Sequence, residues 1–167
     1  NDQYQQTAPT PRSDRVCSSA GTCANGTLLA NPNQRTQVNH CGSCNAGFKL
    51  DTTNKSCVAW AGSCANGKLI TQASRTKDNQ CGSCNAGFKL VGTSCVACLA
   101  GKYQPNPNST ASSCTQCPVG WRGKTSTEMS TNKRTSQTNA CVQCPAGKYQ
   151  DQPGKTSCKN VRSCKNN

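Results

Sequence analysis

Residues 41–50 read Cys-Gly-Ser-Cys-Asn-Ala-Gly-Phe-Lys-Leu, and residues 81–90 repeat the same ten letters. Identity at that spacing marks a tandem array, and it decides the fold before any single element does. Working outward, Ala20-Gly21-Thr22-Cys23-Ala24-Asn25-Gly26 matches Ala61-Gly62-Ser63-Cys64-Ala65-Asn66-Gly67, and Arg35-Thr36 matches Arg75-Thr76. Two copies follow, over residues 17–56 and 57–94. Beyond them the template changes. Cys98-Leu99-Ala100-Gly101-Lys102-Tyr103-Gln104 is echoed by Cys144-Pro145-Ala146-Gly147-Lys148-Tyr149-Gln150, with Cys117-Pro118-Val119-Gly120-Trp121 as a looser copy between them.

One pattern unites both halves: Cys-x-x-Gly, opening a loop that the next cysteine closes. It occurs at Cys23, Cys44, Cys64, Cys84, Cys98, Cys117 and Cys144. A glycine at a fixed offset points to a turn that needs positive φ or a close backbone approach. One or two residues later comes the largest apolar side chain of the loop: Phe48, Phe88, Tyr103, Trp121 or Tyr149, with Leu28 and Leu69 in the two Cys-Ala-Asn-Gly loops. Each is expected to cover a neighbouring disulfide as a miniature core.

Composition says why crosslinks must hold such a fold. Leu, Ile, Val and Phe make up only 17 of the 167 residues, whereas there are 16 cysteines. So little apolar surface cannot offset the entropy of ordering the chain. A disulfide closing a loop of about 15 residues contributes about 3 kcal/mol by restricting the unfolded state. The expected class is therefore small and disulfide-rich: an elongated tandem array of cysteine-rich modules with few short β-strands and little helix. Short paired strands are expected around Gly47–Leu50 and Gly101–Gln104. Residues 1–16, without cysteine and containing Ala8-Pro9-Thr10-Pro11, read as an extended arm or linker. The stretch between Cys117 and Cys141 reads as the longest and most mobile loop.

This cysteine density implies an oxidising compartment, hence secretion or an extracellular surface. The chain opens at Asn1 without an initiator Met, so removal of a signal peptide is expected. No apolar run is long enough to span a bilayer. Asn25, Asn54 and Asn108 head glycosylation sequons. The formal net charge is +13. A basic surface of this kind attracts acidic glycans. Nucleic acid is not an expected partner, because no nucleic-acid-binding motif interrupts the cysteine spacing.

Chemistry is weighed and set aside on spacing. Cys95-x2-Cys98-x15-Cys114-x2-Cys117 falls within zinc-ribbon spacing, but a disulfide ladder places cysteines three apart in the same way. Neither metal nor cofactor is expected. The only histidine, His40, reads as a loop residue. Asp2, Asp14, Asp51, Asp78, Glu128 and Asp151 are isolated, with no paired-carboxylate arrangement. No enzyme is expected.

Two pairing schemes are consistent with the spacing. The sequential one joins Cys23 to Cys41, Cys44 to Cys57, Cys64 to Cys81, Cys84 to Cys95, Cys98 to Cys114, Cys117 to Cys141 and Cys144 to Cys158. It leaves Cys17 and Cys164 as candidates for intermolecular bonds. The other pairs four successive groups of four crosswise and leaves none over. The first is preferred because one rule accounts for all seven glycines.

The stretches Cys98–Trp121 and Cys144–Cys158 resemble the cysteine-rich repeats of ephrin-receptor ectodomains, and their Cys-Pro-x-Gly-x-Tyr loop resembles the opening submodule of tumour-necrosis-factor-receptor domains. The second resemblance implies a loop closed by its own disulfide, in support of the sequential scheme. Residues 17–94 resemble EGF-like tandem modules, and arrays of this sort resemble protist surface coats and flagellar-hair subunits. The organisation expected is an arm (1–16), cysteine-rich repeats 1 (17–56) and 2 (57–94), and ephrin-receptor-like repeats 3 (95–140) and 4 (141–167, incomplete). The resemblance implies an extracellular place and no chemistry. The near-identical tandem repeats, the small and polar composition and the quasi-linear stacking they imply point to a structural subunit of a filament, coat or matrix that self-associates or meets other extracellular proteins. The alternatives are a module recognising a receptor, protein ligand or acidic glycan, and a secreted basic effector.

Overall fold

The computed structural model describes residues 3–129 and 134–162. They form eight two-stranded antiparallel sheets, each a separate hairpin or loop closure. In chain order the pairs are β1 (Gln3–Thr7) with β2 (Val16–Ser19), β3 (Gly26–Leu28) with β4 (Cys41–Cys44), β5 (Phe48–Asp51) with β6 (Ser56–Ala59), and β7 (Gly67–Leu69) with β8 (Cys81–Cys84). There follow β9 (Phe88–Val91) with β10 (Ser94–Ala97), β11 (Lys102–Tyr103) with β12 (Thr115–Gln116), β13 (Trp121–Gly123) with β14 (Cys141–Gln143), and β15 (Lys148–Tyr149) with β16 (Lys159–Asn160). A four-residue helix, α1 (Gln137–Ala140), is capped by the Ser136 hydroxyl, which accepts the Asn139 N–H at 3.1 Å.

Isolated two-stranded pieces are marginal in water and need something to lock them. Here the lock is sulfur. Seven disulfides join Cys23–Cys41, Cys44–Cys57, Cys64–Cys81, Cys84–Cys95, Cys98–Cys114, Cys117–Cys141 and Cys144–Cys158, with Cα separations of 5.1 to 5.9 Å. Among the described residues, eight of the ten buried apolar positions are cysteines, the other two being Ala20 and Ala140. The core is a series of sulfur clusters rather than an aliphatic interior.

The chain divides into two compact units. One comprises residues up to Gly62 together with Thr71–Asp78; the other comprises Ser63–Ile70 and everything from Asn79 onward. In the first, β1 is drawn from the stretch expected to be a free arm. Gln3–Thr7 pairs with Val16–Ser19, and the turn between them is pinned by reciprocal backbone bonds between Thr10 and Ser13. In the second, Ala140 and the Cys117–Cys141 disulfide form a buried cluster on which Tyr103 and Trp121 pack. Tyr103 thus covers the disulfide of the next loop. Tyr149, at the matching place in the last loop, is 42% exposed.

Candidate functional site: the Cys-x-x-Gly turns and the charged groups around them

Five of the seven Cys-x-x-Gly glycines lie in the left-handed region: Gly47 and Gly87 at φ +87°, Gly101 at +81°, Gly120 at +82° and Gly147 at +77°. Each occupies the third place of a turn closed by an N–H to C=O bond from the following residue, as in Phe48 to Asn45 at 3.1 Å or Trp121 to Pro118 at 3.1 Å. That place favours glycine because an L side chain is strained there. The carbonyl of each glycine then accepts an N–H from the end of its own loop: Trp60 to Gly47, Cys98 to Gly87, Cys117 to Gly101, Cys144 to Gly120 and Val161 to Gly147. Every such turn therefore fixes the start of the segment after it.

The two Cys-Ala-Asn-Gly loops differ. Asn25 (φ +61°) and Asn66 (φ +60°) take the left-handed place, and the glycine after them serves a second purpose. A Cβ on Gly26 would lie 2.1 Å from the Ser43 carbonyl oxygen and 2.7 Å from the Cys57 sulfur. On Gly67 it would lie 2.2 Å from the Ser83 oxygen and 2.6 Å from the Cys95 sulfur. Glycine here lets the strand close on a pair of stacked disulfides, whose sulfurs approach to 3.8 Å at Cys23–Cys57 and at Cys64–Cys95.

Those stacked pairs bring Cys23, Cys41 and Cys57, and separately Cys64, Cys81 and Cys95, within 4.8 Å of one another. All six sulfurs are already in disulfides, which are not the thiolates that bind metal ions. Of the zinc-ribbon quartet, Cys95 bonds Cys84, Cys98 bonds Cys114, and Cys117 bonds Cys141. Cys17 is free and exposed on β2. Cys164 lies outside the described residues.

The acidic groups are held singly. Asp78 accepts from the Lys49 ammonium and the Ala61 N–H, which hold its carboxyl below the ordinary range, and Lys49 also sits 4.7 Å over the Trp60 ring. The Lys159 ammonium does the same for Asp151 and is itself raised by it. Asp51 is lowered by the N–H groups and side-chain amide of Asn54 and by the Thr53 N–H. His40 is buried, and its Nδ1 accepts the Thr36 N–H at 3.2 Å.

Glu128 has the largest shift. The Arg122 guanidinium forks onto both its oxygens at 2.6 and 2.8 Å, and with the Thr125 N–H it holds the carboxyl down to about 2 from an ordinary 4.5. A lowered folded value means the fold favours the ionised form. The clamp's contribution is complete above about pH 5 and is lost as pH falls toward 2. A carboxyl-carbon NMR titration of Glu128 should give a midpoint near 2, and Arg122→Gln should raise it toward the ordinary range, with the Thr125 N–H still holding it below. A midpoint near 4.5 in the unaltered protein would remove the clamp.

Two kinds of buried polar contact escape a reading of letters. Gln104 and Gln150, each following a Lys-Tyr pair, are buried. Their carbonyls accept the N–H groups of Gly87 and Gly120, tying one turn to the next loop. Arg35 is also buried, its Nε donating to the Leu29 carbonyl at 2.7 Å. The signals available were the repeated Lys-Tyr-Gln and Arg-Thr, which carry spacing but not depth.

Residues 90–135 match the family model described as tyrosine-protein kinase ephrin type A/B receptor-like. The matched stretch holds the Cys98–Cys114 disulfide whole and one cysteine each of Cys84–Cys95 and Cys117–Cys141. It is shorter than the likeness visible in the letters, which runs over 95–164. No curated protein matches the chain. A receptor-like cysteine-rich match together with seven disulfides among the described residues is the make-up of an extracellular, secreted or surface module. Such repeats are typically non-enzymatic. No helix among the described residues is long and apolar enough to cross a membrane.

Proposed function

We propose that the chain is a non-enzymatic structural repeat protein of an extracellular filament, coat or matrix, in which repeats 17–56, 57–94, 95–140 and 141–167 are joined to further units by disulfides at Cys17 and Cys164. The observation that carries this reading is the single free cysteine among the described residues, exposed on β2 in a protein whose other described cysteines are all bonded. An unpaired cysteine in an oxidising compartment pairs between molecules. A head-to-tail contact that does not close on itself yields an open filament. Asn25, Asn54 and Asn108 are exposed and serve as glycan sites. Asn54 is the least available of the three, since its amide donates to Asp51 at 2.8 Å.

Non-reducing electrophoresis of oxidised protein should give a ladder that collapses to one band on reduction, and Cys17→Ser should abolish the ladder while leaving the monomer folded. A single monomer band with Cys17 mapped to a cysteine of its own chain would overturn the proposal. The second reading, recognition of an acidic glycan or protein ligand, is favoured by the receptor-like match and by the charge of residues 98–167, which carry ten basic and two acidic groups. Retention on a heparin column up to high salt, by monomer that forms no ladder, would select it.

A further inference from the structure

Residues 98–167 carry ten basic groups and two acidic ones. Both acidic groups are engaged, Glu128 by the Arg122 guanidinium and Asp151 by the Lys159 ammonium. Lys148, exposed on β15, has no acidic partner among the described residues. It lines a cleft of about 300 Å³ together with Arg122, Pro145, Thr156, Ser157 and Cys158. That volume is near the lower end for small-ligand pockets, so the cleft takes a single group rather than a length of chain.

The walls of this cleft are fixed in place. The Gly123 N–H donates to the Lys155 carbonyl at 2.8 Å, joining β13 to the loop ahead of β16. Gln150 is buried, and its side-chain amide donates to the Ser157 carbonyl at 2.6 Å. The Cys144–Cys158 disulfide ties Cys158 to the turn that carries Pro145. Thr156 and Ser157 are exposed, which leaves their hydroxyls open to a ligand. Walls held in this way spare a ligand the cost of ordering them.

Arg122 is only partly used by its partner. Its Nη1 donates to Glu128 at 2.8 Å and to the Gly123 carbonyl at 3.3 Å, and its Nη2 donates to the other Glu128 oxygen at 2.6 Å. A guanidinium has two further N–H groups, on Nε and Nη2, side by side on its other edge. Such an edge matches a pair of oxygens on one anionic group. Glu128 is itself fixed by the Thr125 N–H at 2.8 Å, so the guanidinium plane is held still.

We infer that the cleft between Arg122 and Lys148 is a binding site for the sulfate half-ester of an acidic glycan. It deepens the glycan-recognition reading and rests on it. The open guanidinium edge takes two sulfate oxygens. The Lys148 ammonium and the Thr156 and Ser157 hydroxyls are the donors for the third, and Pro145 offers an apolar face to the sugar. A carboxylate, with two oxygens, would leave part of this donor set unused.

The test titrates the full oxidised chain, labelled for NMR, with a sulfated disaccharide cut from heparin and separately with the same disaccharide desulfated. The sulfated sugar should shift the Arg122 Nε–H signal and the Thr156 and Ser157 amides, and the desulfated one should shift none of them. Lys148→Gln should weaken binding about 5-fold. Lys102→Gln, the same change in the earlier Lys-Tyr-Gln copy and outside the cleft lining, should leave it unaltered. Arg122→Lys keeps the charge but has no second edge, and should weaken binding as well. Equal weakening by Lys148→Gln and Lys102→Gln would overturn the cleft and keep a diffuse glycan-binding surface. Inorganic sulfate binding as tightly as the sulfated sugar would overturn the glycan as its ligand. No shift with the sulfated sugar anywhere in the chain would sink the cleft and the glycan reading together.

Discussion

Replacing Cys117 and Cys141 together by alanine should lower stability by about 5 kcal/mol, against about 3 kcal/mol for the pair Cys144 and Cys158. The loops differ in length, 24 residues against 14. Chain entropy gives that difference only about 0.5 kcal/mol. The rest comes from packing. Cys117 and Cys141 are 0% and 1% exposed and form, with Ala140, the cluster on which Tyr103 and Trp121 rest. Removing two buried sulfurs leaves a cavity as well as a longer free loop. The Cys144–Cys158 bond is only half-buried. Thermal unfolding of the two double variants, with all other disulfides intact, reads the difference as about 2 kcal/mol, or roughly 4–8 °C in Tm. Equal losses would mean that the sulfur core adds nothing beyond crosslinking, and the aromatic side chains would then need another role.

That contrast marks what the letters can and cannot carry. Disulfide-rich architecture is legible because a chain with so few branched and aromatic side chains has no other means of holding itself together. The Cys-x-x-Gly motif is legible because a turn that needs left-handed backbone leaves few choices of residue. Read as one motif, however, it conceals two geometries. At Gly47, Gly87, Gly101, Gly120 and Gly147 the glycine itself turns left-handed, whereas at Cys23 and Cys64 an asparagine does so and the glycine only makes room. The Asn preceding those two glycines was the available signal, since asparagine is among the few residues that tolerate the left-handed region. Depth was not legible. Arg35 is buried beside Leu29, although arginine is almost never fully buried without a partner. Tyr103 and Tyr149 share the same letters around them yet differ in cover, because cover is supplied by whichever loop folds over them. The N-terminal strand was hidden for a related reason: Gln-Tyr-Gln-Gln-Thr has no cysteine to announce it, and only its pairing with Val16–Ser19 reveals it.

The glycine geometry makes a matched prediction with its own control. Gly101 and Gly120 have nearly the same backbone, φ +81° and +82°. Alanine at either position suffers the same left-handed strain, about 1–2 kcal/mol. Their surroundings differ. A Cβ on Gly101 would lie 2.2 Å from the Gly154 carbonyl oxygen and 2.8 Å from its carbon, both backbone atoms that cannot swing aside. A Cβ on Gly120 meets nothing within 4 Å among the described residues. Gly120→Ala should therefore cost only the strain. Gly101→Ala should cost that and, by forcing 153–155 away from β13, a further 1–3 kcal/mol of overpacking. The backbone bonds Gly154 N–H to Cys117 and Gly123 N–H to Lys155 would go with it, at 2.9 and 2.8 Å in the unaltered protein. Amide exchange separates the outcomes without global unfolding: Gly123 and Gly154 should lose protection in Gly101→Ala and keep it in Gly120→Ala. Equal exchange in the two variants would show that the loop at Gly154 does not rest on the turn at Gly101, and the close approach would cease to explain that glycine.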